Sequence, residues 1–156
     1  MSVLEQGQIQ IHTENIFPII KKAVYSGHEV FLRELVSNGT DAISKRRMAA
    51  MAGDCSEADE GAINIKVDRE AKTVTISDNG IGMTADEVKR YINQVAFSSA
   101  EDFLEKYKQE SDAIIGHFGL GFYSSFMVAK EVELITRSAR PDSEAVRWVC
   151  DGSPKF

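Results

Sequence analysis

The stretch Glu34-Leu-Val-Ser-Asn-Gly-Thr-Asp41 lies inside a segment, residues 29–51, whose apolar side chains recur at roughly helical intervals. We therefore predict one long helix over this segment. On that helix the side chains of Glu34, Asn38 and Asp41 project from one face, because they are four and three residues apart. The result is a polar stripe, which is either a solvated helix face or one wall of a binding site.

Composition narrows the classes of protein to which this chain can belong. Its 156 residues are enough for one domain with a real core, and 43% hydrophobic and 27% charged residues are typical of a globular protein. A formal net charge of −6 argues against a nucleic-acid partner, which normally requires a basic surface. The one basic run, Lys45-Arg46-Arg47, is interpreted as solvated helix surface.

The sequence shows no membrane span, since it has no run of 18 apolar residues, and its start has no secretory signal pattern. Cys55 and Cys150 lack a metal-binding or redox spacing, so two free thiols in a reducing compartment are expected. The three histidines form no metal-binding pair. We therefore expect a cytoplasmic protein with no histidine metal site.

Several further elements are predicted from local patterns. Alternating segments predict strands at 8–12, 62–67, 73–77, 131–136 and 145–149, and helical patterns predict helices at 16–24, from Thr84 to about Ile92, and through Phe126, Val128 and Ala129. Thr84 and Glu87 have the spacing of a capping box. Gly39 weakens the long helix by about 1 kcal/mol relative to alanine unless close packing requires it.

The motif Asp78-Asn-Gly80-Ile-Gly82 follows a predicted strand. An aspartate at a strand end can present its carboxylate to a pocket, and glycines allow the backbone to approach a ligand closely. A carboxylate only accepts hydrogen bonds, so it suits the exocyclic amine of adenine and disfavours the carbonyl of guanine. The alternative is an Asx turn that closes the strand end, because Asp-Asn-Gly is a common turn sequence.

A second glycine motif, Gly116-x-x-Gly119-x-Gly121, precedes a predicted helix. Loops of this kind offer successive backbone N–H groups to phosphate oxygens. The spacing matches neither the dinucleotide fingerprint nor a Walker loop, and a flexible hinge is the alternative. If the loop binds a triphosphate, Asn38 supplies an oxygen for magnesium and Glu34, one turn earlier, serves as general base toward water. Hydrolysis by such a site is expected to be slow.

Three motifs in this order give the chain a resemblance to a known family. The segments Phe31–Ala42, Asp78–Thr84 and Gly116–Ser124 closely resemble the 90-kDa heat-shock chaperones, the bacterial members most of all. The resemblance runs from Gln8 to Val149. It implies a Bergerat-type ATPase fold shared with gyrase B, MutL and sensor histidine kinases: an α/β (α+β) two-layer sandwich whose mixed, largely antiparallel sheet carries helices on one face.

The resemblance also implies roles for individual residues. Glu34 is similar to the family's catalytic base and Asn38 to its magnesium-binding residue, while Asp41 resembles a pocket-lining position. Asp78 resembles the aspartate that binds adenine, with Gly82 and Met83 lining the base. The family's phosphate-side loop corresponds to Gly116, Phe118, Gly119, Leu120, Gly121 and Phe122, and its mobile lid to residues 93–116.

The sequence departs from the family's pattern in three places. Gly39 replaces an alanine, and Phe97 and Tyr91 stand where members have a lysine and an asparagine that contact nucleotide. Because the sequence ends at Phe156, we expect residues 1–156 to be an N-terminal nucleotide-binding domain truncated at its C-terminal end, without the middle and C-terminal domains.

The resemblance therefore implies a module that binds ATP, ADP and magnesium and hydrolyses ATP. It also implies that this module belongs to a homodimeric chaperone that acts on client proteins, with co-chaperones as further partners. One alternative is a nucleotide-binding module without turnover. Another is a relative on the same fold, a histidine kinase or a topoisomerase subunit.

Overall fold

The computed structural model describes residues 6–7, 29–56, 60–92, 121–151 and 156. The elements, in chain order, are α1 (Val30–Met51), β1 (Ile63–Asp68), β2 (Thr73–Asp78), α2 (Ala85–Tyr91), a 3-10 helix (Gly121–Met127), β3 (Val132–Arg137) and β4 (Ala145–Cys150). The predictions of a strand at 8–12, a helix at 16–24 and a lid at 93–116 lie outside the described residues.

The four predicted strands that fall within the described residues form two antiparallel hairpins. In the first hairpin Ile65 lies opposite Ile76, and in the second Leu134 lies opposite Trp148. Within the described ranges these hairpins are two separate two-stranded sheets. The predicted α/β class with antiparallel strands is confirmed.

One face of α1 is buried, and it carries charged as well as apolar side chains. Met48 and Ala49 are buried there, as expected for the apolar face of a long helix. Asp41 and Lys45 are also buried and continue the same face toward the N-terminus of the helix. The interpretation of Lys45 as solvated surface was therefore wrong; of the basic run, only Arg47 is exposed.

The second hairpin forms the main core together with α2 and the 3-10 helix. Trp148 is 3% exposed and packs with Val88, Ile92 and Cys150. Alternate residues of β3 are half-buried, as the period-two pattern predicts. The partly buried side chains around this cluster are Met83, Phe122, Phe126, Val132, Leu134, Val146 and Phe156.

The predicted capping box at the start of α2 is confirmed. The Thr84 hydroxyl accepts a hydrogen bond from the backbone N–H of Glu87 at 3.3 Å, and Glu87 Oε2 accepts one from the backbone N–H of Thr84 at 2.8 Å. Glu87 Oε1 also accepts a hydrogen bond from Arg140 Nη1 at 2.9 Å. The cap therefore ties α2 to the connection between β3 and β4.

The helix predicted through Phe126, Val128 and Ala129 is a 3-10 helix that ends at Met127. Its sequence includes a glycine and two serines, which are poor helix formers. The Ser125 hydroxyl donates to the carbonyl oxygen of Phe122 at 2.6 Å, a local bond of the kind that competes with regular α-helical bonding. Val128 and Ala129 follow the helix, and both backbone N–H groups donate to the carbonyl oxygen of Ser125.

Gly39 is buried in α1, where the start of the first hairpin approaches the helix. A methyl group at this position would lie 3.2 Å from Ile63 Cδ1 and 3.4 Å from Asp78 Cβ. The closest of these atoms is the end of a flexible side chain, which can shift by a few tenths of an ångström. We therefore expect Gly39→Ala to stabilise the protein by about 0.5 kcal/mol, since the gain in helix propensity exceeds the cost of that shift.

The midpoint of urea unfolding, measured for Gly39→Ala and for Gly39→Ala with Ile63→Val, tests this expectation. The second variant removes Ile63 Cδ1 and so separates crowding from helix propensity. A midpoint for Gly39→Ala below that of the unchanged protein would show that the crowding dominates.

Candidate functional site

The loop that follows β2 is held between α1 and the second hairpin. The backbone N–H of Ile81 donates to the carbonyl oxygen of Ala42 at 2.9 Å, and the Ile81 carbonyl oxygen accepts from the N–H of Ala139 at 2.7 Å. Further along, the N–H of Met83 donates to Thr136 Oγ1 at 3.0 Å. These bonds fix the backbone of the Asp78–Met83 motif on both sides.

The two glycines of this motif are explained by packing against the protein. A methyl group on Gly80 would lie 2.5 Å from Ala42 Cβ, closer than side chains pack. Gly82 has a φ of +62°, and a methyl group there would overlap the carbonyl oxygen of Arg137. Contact with a ligand, the reason expected from the sequence, is not needed to account for either glycine.

One carboxylate oxygen of Asp78 closes a turn, and the other is available to accept a hydrogen bond. Its Oδ1 accepts a hydrogen bond from the N–H of Gly80 at 2.9 Å, which is the Asx turn named as the alternative. Its second oxygen has no partner among the described residues. Although Asp78 is exposed by surface area, nearby protein atoms remove part of the hydration of its carboxyl group and raise its pKa, and the Gly80 bond partly offsets this rise. Asp78 therefore has both proposed properties, a turn-closing oxygen and a second oxygen available to accept a hydrogen bond.

Asn79 holds the start of the first hairpin and was missed by the sequence analysis. Its Oδ1 accepts from the N–H of Ala62 at 2.8 Å, which extends the pairing of the hairpin by one bond. Arg46 donates from Nη1 to the Asn79 carbonyl oxygen at 2.8 Å and from Nε to the Ser56 carbonyl oxygen at 3.2 Å. Arg46 is thus half-buried and anchors the loop to α1, contrary to its interpretation as solvated surface.

α1 brings the middle of the predicted polar stripe close to Asp78. A Cβ on Gly39 would lie 3.4 Å from Asp78 Cβ, so Asn38 lies next to the point where helix and motif meet. Asn38 is exposed, Glu34 is half-buried one turn earlier, and Asp41 is only 5% exposed. The side chains of Glu34 and Asn38 form no hydrogen bond or ion pair within the described ranges.

Lys45 is a buried cation next to this stripe. It is 9% exposed and follows Asp41 by one helical turn. Burial lowers the pKa of Lys45, while the negative charges of Asp41 and Glu87 act to raise it. The spacing of four residues from Asp41, on the face that continues to Met48 and Ala49, is the signal in the sequence that indicates its burial.

The structure describes only the end of the predicted phosphate-side loop. Phe122 is half-buried, and its ring makes an edge-on contact with Trp148 at a centroid distance of 5.5 Å. The Phe122 ring therefore belongs to the core, which leaves its backbone as the part of this residue that can approach a ligand. Gly121 begins the 3-10 helix. The other predicted loop residues, Gly116, Phe118, Gly119 and Leu120, lie outside the described ranges.

The described part of the chain contains no group of three histidine, cysteine, aspartate or glutamate side chains placed to hold a metal ion. It also contains no helix long and apolar enough to cross a lipid bilayer. The site thus offers the carboxylate of Asp78 and the amide of Asn38 at the surface, and a second, buried carboxylate, Asp41, one helical turn from the buried Lys45. These side-chain oxygens can accept hydrogen bonds from a nucleobase, and one of them can bind a hydrated cation.

Comparison with known proteins places these residues in a family. Residues 25–151 match the family described as histidine kinase-, DNA gyrase B-, and HSP90-like ATPase. The chain is 58% identical over 153 residues to chaperone protein HtpG of Bacteroides thetaiotaomicron, an alignment that covers 98% of the chain and 22% of that protein. It is 55% identical to the HtpG of Porphyromonas gingivalis (97% and 22% covered) and 44% identical to that of Streptomyces coelicolor (97% and 25% covered). The chain thus spans about a quarter or less of the length of these curated relatives.

Proposed function

The chain belongs to the histidine kinase-, DNA gyrase B- and HSP90-like ATPase family, and from this premise we propose that it is the ATP-binding module of a molecular chaperone. The observation that carries the proposal is the position of Asp78. Its carboxylate is fixed by the Gly80 bond and lies beside α1, with one oxygen available to accept a hydrogen bond. An amine donor such as that of adenine suits this oxygen, and a carbonyl such as that of guanine does not.

The nucleotide's base is proposed to bind between the Asp78 motif and α1. Gly82 and Met83 line it from the motif, whose backbone is held by the Ile81 and Met83 bonds. Asp41 lines it from the helix. A fixed backbone reduces the entropy lost on binding, which supports affinity without a large contact area.

The phosphates are proposed to bind toward the N-terminal half of α1, next to the loop from Gly116 to Phe122. Asn38 fits a role as a magnesium ligand, because its side chain is exposed and its amide oxygen is not used by the described residues. Magnesium retains several waters and shares phosphate oxygens, so one protein oxygen is enough. A bound magnesium ion would neutralise phosphate charge during hydrolysis.

Glu34 is proposed as the general base that orients and deprotonates the attacking water. It lies one turn before Asn38, which is about 6 Å along the helix axis. Its half-buried side chain has no partner in the described part of the chain, so it is available for a water molecule.

Glu34→Gln is expected to leave ADP affinity within about twofold and to lower ATP turnover about 100-fold or more, because only the proton transfer is lost. Turnover is measured in a full-length protein containing this chain, and ADP affinity by calorimetry. Glu144→Gln, an exposed carboxylate before β4, is the matched control. Unchanged turnover in Glu34→Gln would reject the assigned base, and loss of ADP binding would point to a binding role instead.

At the level of the whole protein, we propose that nucleotide binding closes a lid formed by residues 93–116. This closure is proposed to drive conformational change in a cytoplasmic, homodimeric chaperone that acts on client proteins together with co-chaperones. The HtpG chaperone name of the relatives supports this proposal. A module that binds nucleotide without turnover is the alternative, and measurable ATP hydrolysis by the unchanged full-length protein distinguishes the two.

A further inference from the structure

Four charged side chains, two of them buried, lie on α1, at the start of α2 and on the β3–β4 connection. Asp41 and Lys45, one helical turn apart, are 5% and 9% exposed. Burial lowers the pKa of Lys45, and the negative charges of Asp41 and Glu87 act to raise it. Glu87 in turn accepts hydrogen bonds from the backbone of Thr84 and from Arg140 Nη1. The charged groups therefore alternate in sign from Asp41 and Lys45 on the helix to Glu87 and its hydrogen-bonded partner Arg140.

Stability alone does not explain a lysine at this position. Burying an ammonium group is costly, and well-packed apolar side chains often replace buried ion pairs without loss of stability. The next residues of this helix face, Met48 and Ala49, are such side chains. Lys45 does, however, supply a positive charge near Asp41. Without it, an ionised carboxylate buried at this position would be costly.

We propose that Lys45 is a positioning residue for nucleotide binding: with Glu87 it holds the Asp41 carboxylate in place at the pocket wall and connects that wall to Arg140. The inference rests on the proposed function, which assigns Asp41 to the pocket. Arg140 has a side chain that is 31% exposed. The β3–β4 connection is therefore coupled to nucleotide affinity although it contributes no contact to the base.

The experiment titrates the 156-residue chain and its variants with ADP and magnesium by calorimetry, at a temperature where circular dichroism shows each variant to be folded. Lys45→Met keeps the length of the side chain and removes its charge. It is expected to weaken ADP binding about tenfold, a typical coupling between two sites. In an Asp41→Asn background the same change is expected to have no further effect, because Lys45 acts through Asp41.

Glu87→Gln provides a second variant in case Lys45→Met does not fold. Glutamine preserves the capping box at the start of α2 and removes only the negative charge that acts on Lys45 and pairs with Arg140. We expect about threefold weaker ADP binding, as for loss of a partly buried charge pair.

The outcomes separate this inference from its premise. Failure of the unchanged chain to bind ADP would overturn the proposed function and this inference with it. If the unchanged chain binds, wild-type affinity in folded Lys45→Met, or in Glu87→Gln where the first does not fold, would overturn the inference alone. An equal loss of affinity from Lys45→Met with and without Asp41 would also overturn it, since the lysine would then act independently of that carboxylate.

Discussion

Asp78→Asn is expected to weaken ADP binding about 100-fold or more while leaving the fold intact. The asparagine oxygen can still accept the hydrogen bond from the Gly80 N–H, so the Asx turn is preserved. Its NH2 group, however, replaces the oxygen proposed to accept the adenine amine. Two donors then face each other, and the complex loses a charge-assisted hydrogen bond and leaves a donor unsatisfied.

Calorimetric titration with ADP and magnesium measures this effect, and Asp68→Asn is the matched control. Asp68 lies at the other end of the same hairpin and closes a turn in the same way, accepting from the N–H groups of Glu70 and Ala71 at 3.0 and 2.9 Å. Its replacement is expected to leave the ADP affinity unchanged. Undiminished binding by Asp78→Asn would remove the central contact of the proposed site.

The raised pKa of Asp78 adds a dependence on pH to the same prediction. The carboxylate form accepts the hydrogen bond, so ADP affinity falls as the pH drops through this pKa, at a higher pH than for an ordinary aspartate. A raised pKa in the folded state also means that ionised Asp78 opposes folding above that pKa and costs nothing below the unfolded value. Asp78→Asn is therefore expected to be at least as stable as the unchanged chain at neutral pH, and to lose this part of the pH dependence.

Local sequence patterns predicted most of the described secondary structure. α1, both hairpins and the capping box at Thr84 depend on periodicity, turn residues and one short-range pair, all of which are present within a few consecutive residues. The 3-10 helix from Gly121 to Met127 was less predictable, because its apolar spacing suits an α-helix and its serines favour local bonds instead. The apolar pattern thus predicted a helix at this position but the wrong type of helix.

The environment of the candidate site could not be predicted as well, since it depends on contacts distant in sequence. The polar stripe on α1 is not uniform: three residues advance a helix by about 300°, so Asn38 and Asp41 are offset by about 60° around the axis. This offset is enough to leave Asn38 exposed and Asp41 buried. Likewise, Lys45 belongs to a basic run in the sequence, which does not indicate that the charge of Glu87, on another helix, acts on its pKa.

Gly82→Ala is expected to destabilise the protein by more than about 4 kcal/mol, a large part of the stability of a typical domain. The left-handed conformation of Gly82, with φ of +62°, costs an alanine about 1–2 kcal/mol. The larger cost comes from the new methyl group, which would overlap the carbonyl oxygen of Arg137 and crowd the N–H of Ser138. These are backbone atoms at the end of β3, so no side-chain rotation can relieve the overlap.

Thermal unfolding followed by circular dichroism tests this expectation, with Gly53→Ala as the matched control. Gly53 has a similar φ of +80°, but a methyl group there would meet no atom within 4 Å. Its replacement therefore carries the conformational cost alone, and the difference in melting temperature between the two variants measures the contact with Arg137. We expect Gly82→Ala to melt about 10 °C or more below the unchanged chain, with Gly53→Ala lowered by only a few degrees. Equal losses in the two variants would mean that the loop moves away from β3 at little cost, and the rigid backbone attributed to the Asp78 motif would have to be abandoned.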